Sequence, residues 1–320
     1  MRRGVVAVLV VLLGTLSASA QEWPTRSVRI VVPFAAGATP DVVARLVADY
    51  LHDKTGQAFV VENKPGASGN TGTDVVAKAE PDGATIGVSI GGPLAINALL
   101  FNNLPYDPKK DLALITMLVS QPSALAINSS LGVKNTAELI TLLKANPGKY
   151  AYGSIGTGSL SQLAMEAIAL KAGTKLVHVP YPSSPQAIQA LMRGDVQMVC
   201  LPAISITPQL AGGAIKMLAV STAERSALLP NVPTLKEGGI DVQADAWSGL
   251  VAPASVADTA IGQINKLVAE ALTSRAVREK LTAQLMEPIP DTPAQFRARI
   301  DADIARWAPV IEAANIKISN

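Results

Sequence analysis

VVPFAAGATPDVVARLV, residues 31–47, decides how the chain folds. A β-branched apolar run ends at Val32, small residues follow as far as Ala38, and an amphipathic pattern resumes at Asp41. Strand, small-residue loop and helix together make the βα unit of a largely parallel sheet. Thr39 can serve as N-cap, Pro40 suits the first helical position, and Asp41 complements the positive end of the helix. The first N–H groups of a helix lack intrahelical partners and attract anions. Ala35, Ala36, Gly37 and Ala38 leave room for a ligand to approach that backbone.

The same alternation runs outward from this unit. Val28–Val32, Ala58–Glu62 and Ala84–Ile90 read as strands, with helices over 41–52, 73–79 and about 94–100. The apolar run 112–127 is interrupted around Ser120-Gln121-Pro122-Ser123 and can carry the chain from one lobe to another. A second α/β set follows. Its helices are expected at 136–144, 160–171 and 186–192, and its strands at 149–153, 176–179, 196–201 and 215–220. The tail reads as helices over 261–273, 276–284 and 293–306. The fold class is therefore α/β, two lobes each with a mostly parallel sheet flanked by helices. The expected division is 21–122 plus 223–320 for the first lobe and 123–222 for the second.

Arg2 and Arg3, an apolar run from Gly4 to about Leu16 and the site Ala18-Ser19-Ala20 have the form of a cleaved signal peptide, residues 1–20. The run is shorter than the ~20 residues of a membrane span. Of 27 basic and 25 acidic residues, Arg2 and Arg3 fall in this segment, so the remaining chain is balanced at 25 of each. With no basic stripe, nucleic-acid binding is not expected. The 300 residues after Ala20 suit two lobes rather than a single core. Cys200 is the only cysteine, so no internal disulfide forms, and its apolar neighbours suit a buried, inert thiol.

A second loop repeats the logic of the first. Tyr152-Gly153-Ser154-Ile155-Gly156-Thr157-Gly158-Ser159 follows a strand and opens the helix at Leu160. One helix start from each lobe could hold a carboxylate between them through backbone N–H groups, hydroxyls and water, since neither loop contains Lys or Arg. A phosphate-loop pattern is absent, and the Gly156-x-Gly158 run meets Ser161 where a dinucleotide fingerprint wants Gly or Ala. No cofactor is expected, and two distant histidines with one cysteine give no metal-ligand spacing. Gly87-Val88-Ser89-Ile90-Gly91 matches a nucleophile elbow, which makes a serine hydrolase using Ser89 the alternative enzymatic reading. It would need a histidine base, and only His52 and His178 exist. Ser89 reads instead as a polar side chain at the cleft edge.

Several motifs recur in order along the chain. They are Val32-Pro33-Phe34-Ala35-Ala36-Gly37 with Asp41, Gly66-Ala67-Ser68-Gly69, Ala79-Glu80-Pro81-Asp82-Gly83 and Leu104-Pro105-Tyr106-Asp107-Pro108. Tyr152-Gly153-Ser154, Val179-Pro180-Tyr181, Leu218-Ala219-Val220-Ser221, Leu229-Pro230-Asn231-Val232-Pro233-Thr234 and the run Trp247 to Pro253 follow. Together they resemble the Bug (Bordetella uptake gene) proteins, periplasmic substrate-binding components of tripartite tricarboxylate transporters. The resemblance implies a two-lobed Venus-flytrap fold of type II-like form and a periplasmic location. It also implies capture of a small organic acid for membrane permease subunits, by a chain expected to be monomeric.

The expected ligand contacts are Phe34 to Thr39 and Asp41 from the first loop, with Ser89. From the second lobe they are Ser154, Thr157, Gly158, Ser159, Tyr181 and Ser184. Trp247 suits hinge support or core. Relatives often read Gly-Pro-Thr-Asp where this chain has Ala38-Thr39-Pro40-Asp41, and aromatic-Asp where it has Cys200-Leu201. Loss of that carboxylate argues against recognition of an amino group there. A mono- or dicarboxylate with an apolar body against Phe34, Cys200 and Leu201 is expected. A sensing subunit for a membrane kinase is a further alternative with the same site.

Overall fold

The computed structural model describes residues 23–318, and the expected signal segment, 1–20, lies outside them. Strand β1 (Val28–Val32), helix α1 (Thr39–Thr55), β2 (Phe59–Asn63), α2 (Asn70–Ala77) and β3 (Thr85–Ile90) form the first βα units. A π-helical turn over Gly92–Ile96 runs into α3 (Asn97–Leu100). β4 (Leu112–Gln121) and β5 (Ser123–Asn128) follow, separated by Pro122 alone. The second set is α4 (Thr136–Ala145), β6 (Ala151–Ser154), α5 (Leu160–Ala172), β7 (Val177–Pro180), α6 (Ser184–Arg193), β8 (Met198–Pro202), α7 (Ala203–Ile206) and β9 (Ile215–Val220). The chain ends through β10 (Ala246–Pro253), α8 (Asp258–Thr273), α9 (Arg275–Thr282), β11 (Glu287–Pro288) and α10 (Pro293–Ala313).

Two sheets result, ordered β11-β4-β10-β3-β1-β2 and β7-β6-β8-β5-β9. The two-lobed α/β expectation is met, but the sheets are mixed rather than mostly parallel. β1 is parallel to β2 and β3, and β6 to β7 and β8, because helices make those crossovers. β4, β5, β9 and β10 join antiparallel, having arrived from or departed for the other sheet. Pro122 explains the split of the long apolar run, since a proline cannot donate to a ladder. Its carbonyl instead accepts from Ala203 N (2.9 Å) and the strand restarts in the second sheet.

After β9 the chain stays with the second sheet until residue 245. Leu235 N donates to Val220 O (2.9 Å) and Ala244 N to Ser221 O (2.8 Å). Gly238 lies so close to α4 that an added Cβ would sit 2.5 Å from Thr136 Cβ. β10 is the first element to rejoin the opening sheet.

Local chemistry accounts for the elements that carry the loops. Val28–Val32 is buried on both faces, as a central strand requires. α5 starts at Ser159, whose hydroxyl accepts from Gln162 N, and stops at Gly173 in the left-handed region (φ 64°). α10 opens with a Thr292/Gln295 capping box. One apolar cluster is confined to the first sheet with α1 and α8, and a second lies on the second sheet under α6 and α7. A third is shared: Leu94 and Phe296 join Tyr152, Leu163 and Met198, with Trp307 of α10 reaching toward α5. The two lobes thus have separate sheets but a common seam of core.

Candidate ligand-binding site

A cavity of about 630 Å³ opens between the lobes, at the carboxyl ends of β1 and β6 where open α/β sheets bind ligands. Phe34, Gly37, Ala38, Thr39 and Pro40 form one wall, and Ile155, Thr157, Gly158, Ser159, Leu160 and Ser161 the facing one. Ser184, Cys200, Pro202, Ile204 and Ser205 extend the second wall. No lysine, arginine or histidine lines it.

The first loop is built differently from its sequence reading. The N-cap is Ala38, not Thr39, and no side chain caps the helix there. Ala38 is extended (φ −69°, ψ 157°), a conformation open to any residue, so the absence of glycine at this point carries no penalty. Thr39 Oγ1 donates to Gln121 Oε1 (3.3 Å) instead. Asp41 is 2% exposed and lies beneath the loop rather than in the cavity. Its carboxylate accepts from Gly37 N (2.8 Å), Asn63 Nδ2 (2.9 Å) and Arg45 Nε and Nη2 (3.0 and 2.9 Å). Burial works to raise its pKa, but Arg45 first, then Gly37 and Asn63, outweigh it and hold Asp41 below the ordinary carboxylate value.

Donors at this helix start are consequently few. Gly37 N–H is taken by Asp41, Pro40 has none, and Asp41 and Val42 both donate to Ala38 O. Thr39 N–H is the opening donor left. The ring of Phe34 is seated by Gly69 (φ 91°), where a Cβ would fall 2.9 Å from Phe34 Cζ.

The second loop is held by a neutral network. Ser154 is fully buried, bonded to His178 Nε2 (2.6 Å), and accepts from Gly156 N (3.1 Å). Gln162 binds His178 Nδ1 through its amide nitrogen (3.2 Å) and accepts from Gly158 N through its oxygen (2.7 Å). Ile155 N donates to Ser161 Oγ (3.0 Å), and the Ser159 hydroxyl to Gly156 O (2.6 Å). Burial keeps the His178 pKa below its ordinary value. Thr157 is exposed at the rim.

Of the residues expected from sequence, Phe34, Gly37, Ala38, Thr39, Thr157, Gly158, Ser159, Ser184 and Cys200 line the cavity. Ala35 and Ala36 are exposed and do not line the cavity, and Asp41 and Ser154 buttress the loops from below. Leu201 is wholly buried in the second-sheet core, because successive strand residues face opposite sides and Cys200 takes the cavity side. Burial raises the Cys200 thiol to about 12, in keeping with an inert group. Tyr181 packs under Gly153 rather than into the cavity, its Cε2 3.2 Å from where a Cβ would stand.

Ser89 is 1% exposed and shares a 3.1 Å hydrogen bond with Thr73. His178 is engaged on the other sheet and His52 with Gln57 O (2.8 Å), so neither serves Ser89 as a base.

The cavity floor was not read from sequence. Asn97, Gln121, Ser123, Asp245, Trp247, Ser248 and Asp303 converge there from separate segments. Trp247, expected as hinge support or core, is 5% exposed, stacks edge-on with Phe296 (5.7 Å) and donates Nε1–H to Asp303 Oδ2 (2.7 Å). Only the Trp247-Ser248-Gly249 motif hinted at this region. Gly249 leaves the space that Phe296 fills, since a Cβ would lie 2.2 Å from its Cζ.

The family model described as "Tripartite tricarboxylate transporter family receptor" matches residues 43–316. The chain belongs to this receptor family. Among relatives of the receptor, protein BugT of Bordetella pertussis is 34% identical over 302 residues, 94% of this chain and 93% of its own. The solved structure of R. palustris Rpa4515 with adipate is 33% identical with a TM-score of 0.80, covering 93% of this chain and all of the other. MatC (Rpa3494) from Rhodopseudomonas palustris, with bound malate, is 30% identical with a TM-score of 0.74, covering 90% and 100%. The receptor family is one of periplasmic solute-binding proteins. Among the described residues no helix is long and apolar enough to cross a membrane, and no side-chain cluster could hold a metal ion.

Proposed function

We propose that this receptor binds a small organic acid reversibly in the inter-lobe cavity and delivers it to the membrane permease subunits of a tripartite tricarboxylate-type transporter. One observation carries the reading: helix-start loops from the two lobes face each other across a single cavity with no Lys, Arg or His on its walls. Thr39 N–H, the hydroxyls of Thr157 and Ser184, and bridging water hold the carboxylate. Phe34, Cys200 and Ile155 cover an apolar body. The relatives with bound adipate and malate support the ligand class.

The protein acts as an exported monomer in the periplasm, with residues 1–20 as its signal. The lobes, 21–122 plus the C-terminal part and 123 to about 245, close about Pro122 and the junction before Ala246. A thermal-shift screen with mono-, di- and tricarboxylates tests the reading. A true ligand at 100-fold its Kd should stabilise by about 2.7 kcal/mol, and failure of every acid to shift the transition sinks it. Uptake of the labelled ligand by cells lacking the gene separates delivery to a permease from sensing.

A further inference from the structure

The cavity carries apolar surface that the fold itself does not use, and its meaning rests on the carboxylate reading of the loops. Phe34 follows β1 and Ile90 ends β3, while Ile155 follows β6 and Ile204 lies in α7 directly after β8. β1 and β3 run parallel, as do β6 and β8. Each lobe thus sets two large apolar side chains at, or just past, the carboxyl ends of its strands. All four line the cavity. Among the described residues, none of the four belongs to the three apolar clusters that hold the lobes together. Ile155 is 40% exposed, and Phe34, Ile90 and Ile204 are half-buried.

Large apolar side chains held out of the core mark a surface that an apolar partner covers. Here that surface lies inside a cavity of about 630 Å³, the size of a small-molecule site. The polar side of the same cavity is sparse. Thr39 N–H and the hydroxyls of Thr157 and Ser184 suffice for one carboxylate. No lysine, arginine or histidine is present to neutralise a second.

We propose that the ligand is a monocarboxylate with a bulky apolar body, wedged between Phe34 and Ile90 of one lobe and Ile155 and Ile204 of the other. Binding removes these side chains from water together with the ligand's hydrocarbon, so affinity grows with hydrocarbon length. A second carboxylate at the far end of the ligand would be desolvated with no cation to pair it.

Isothermal titration with butanoate, hexanoate and octanoate, and with the diacids of the same lengths, tests this. Each methylene covered should tighten binding about fourfold, giving at least about tenfold from butanoate to octanoate. Octanoate should also bind at least about tenfold more tightly than octanedioate. Ile155→Ser, at an exposed position, should leave the melting temperature of the free protein unchanged. It should hold butanoate within about twofold while weakening octanoate about tenfold. Flat affinity along the monoacid series, or equal or tighter binding of the diacid, overturns the inference and leaves the carboxylate reading standing. Equal weakening of the short and long acids by Ile155→Ser overturns it too. If no carboxylate binds at any length or in the wider screen, the carboxylate reading fails and this inference with it.

Discussion

The two loops that face each other across the cleft are alike in sequence logic and unlike in construction. The first is braced by charge: Asp41 ties together Gly37, Asn63 and Arg45. The second is braced by neutral groups, with His178 and Gln162 holding Ser154 and Gly158. Both are helix starts after a parallel strand. In both, the backbone donors expected to await a ligand are largely spent on the loop itself. A helix start that looks open in sequence can be mostly satisfied in the fold, leaving hydroxyls and single N–H groups to meet the ligand.

Asp41→Ala, which removes the charge brace of the first loop, has the largest expected effect. It removes the acceptor shared by Gly37 N–H and Arg45, leaves Asn63 Nδ2 with Phe34 O alone, and should cost about 3 kcal/mol in urea unfolding, with ligand affinity falling as well. A loss below ~1 kcal/mol would mean the charge brace is incidental.

Gly158→Ala comes next, at about 2 kcal/mol, because it combines a left-handed backbone (φ 77°) with a Cβ 2.7 Å from Ile318 Cδ1. Ser154→Ala should cost about 1.5 kcal/mol by emptying the centre of the neutral network.

Acid should separate the two braces further. His178 folds with its pKa below the ordinary 6.5, so the unfolded chain binds more protons and stability falls as pH drops from 6.5 toward the folded value. Asp41, held below 3.8, keeps its full contribution above that value and loses it as pH falls from 3.8 through its lower folded value. The second loop therefore loosens first, and His178→Gln should remove the early part of the stability-versus-pH slope. Gly37→Ala should show the smallest effect, about 1 kcal/mol, since its φ is 83° but nothing lies within 4 Å of an added Cβ.

Much of the fold was legible because its signals are local. β1 and β9 fall where the β-branched and apolar runs were read, and Pro122 divides the long run into strands of different sheets. β10 escaped because AWSGLVAP carries Gly249 for contact with Phe296, not for a turn. Helix α10 extends to Ala313, beyond the expected 306, with Pro309 inside it.

The two walls of the cavity were legible from glycine and hydroxyl content. Its floor was not, because residues 97, 121, 245, 248 and 303 meet only once the sheets have formed. Cys200 and Leu201 show the same limit, as the sequence could not say which of two adjacent strand residues faces the cavity.

Gln121 gives the cleft an internal wire. Its side chain accepts from Thr39 at 3.3 Å, a bond near the long end of the range, and donates to Gln284 O, while its backbone pairs with Ala246 one residue before Pro122. A ligand that draws the Thr39 hydroxyl to itself has little to break there. Gln121 keeps its bond to Gln284 O and its pairing with Ala246, so the residue that meets the first wall is anchored where the chain passes between lobes.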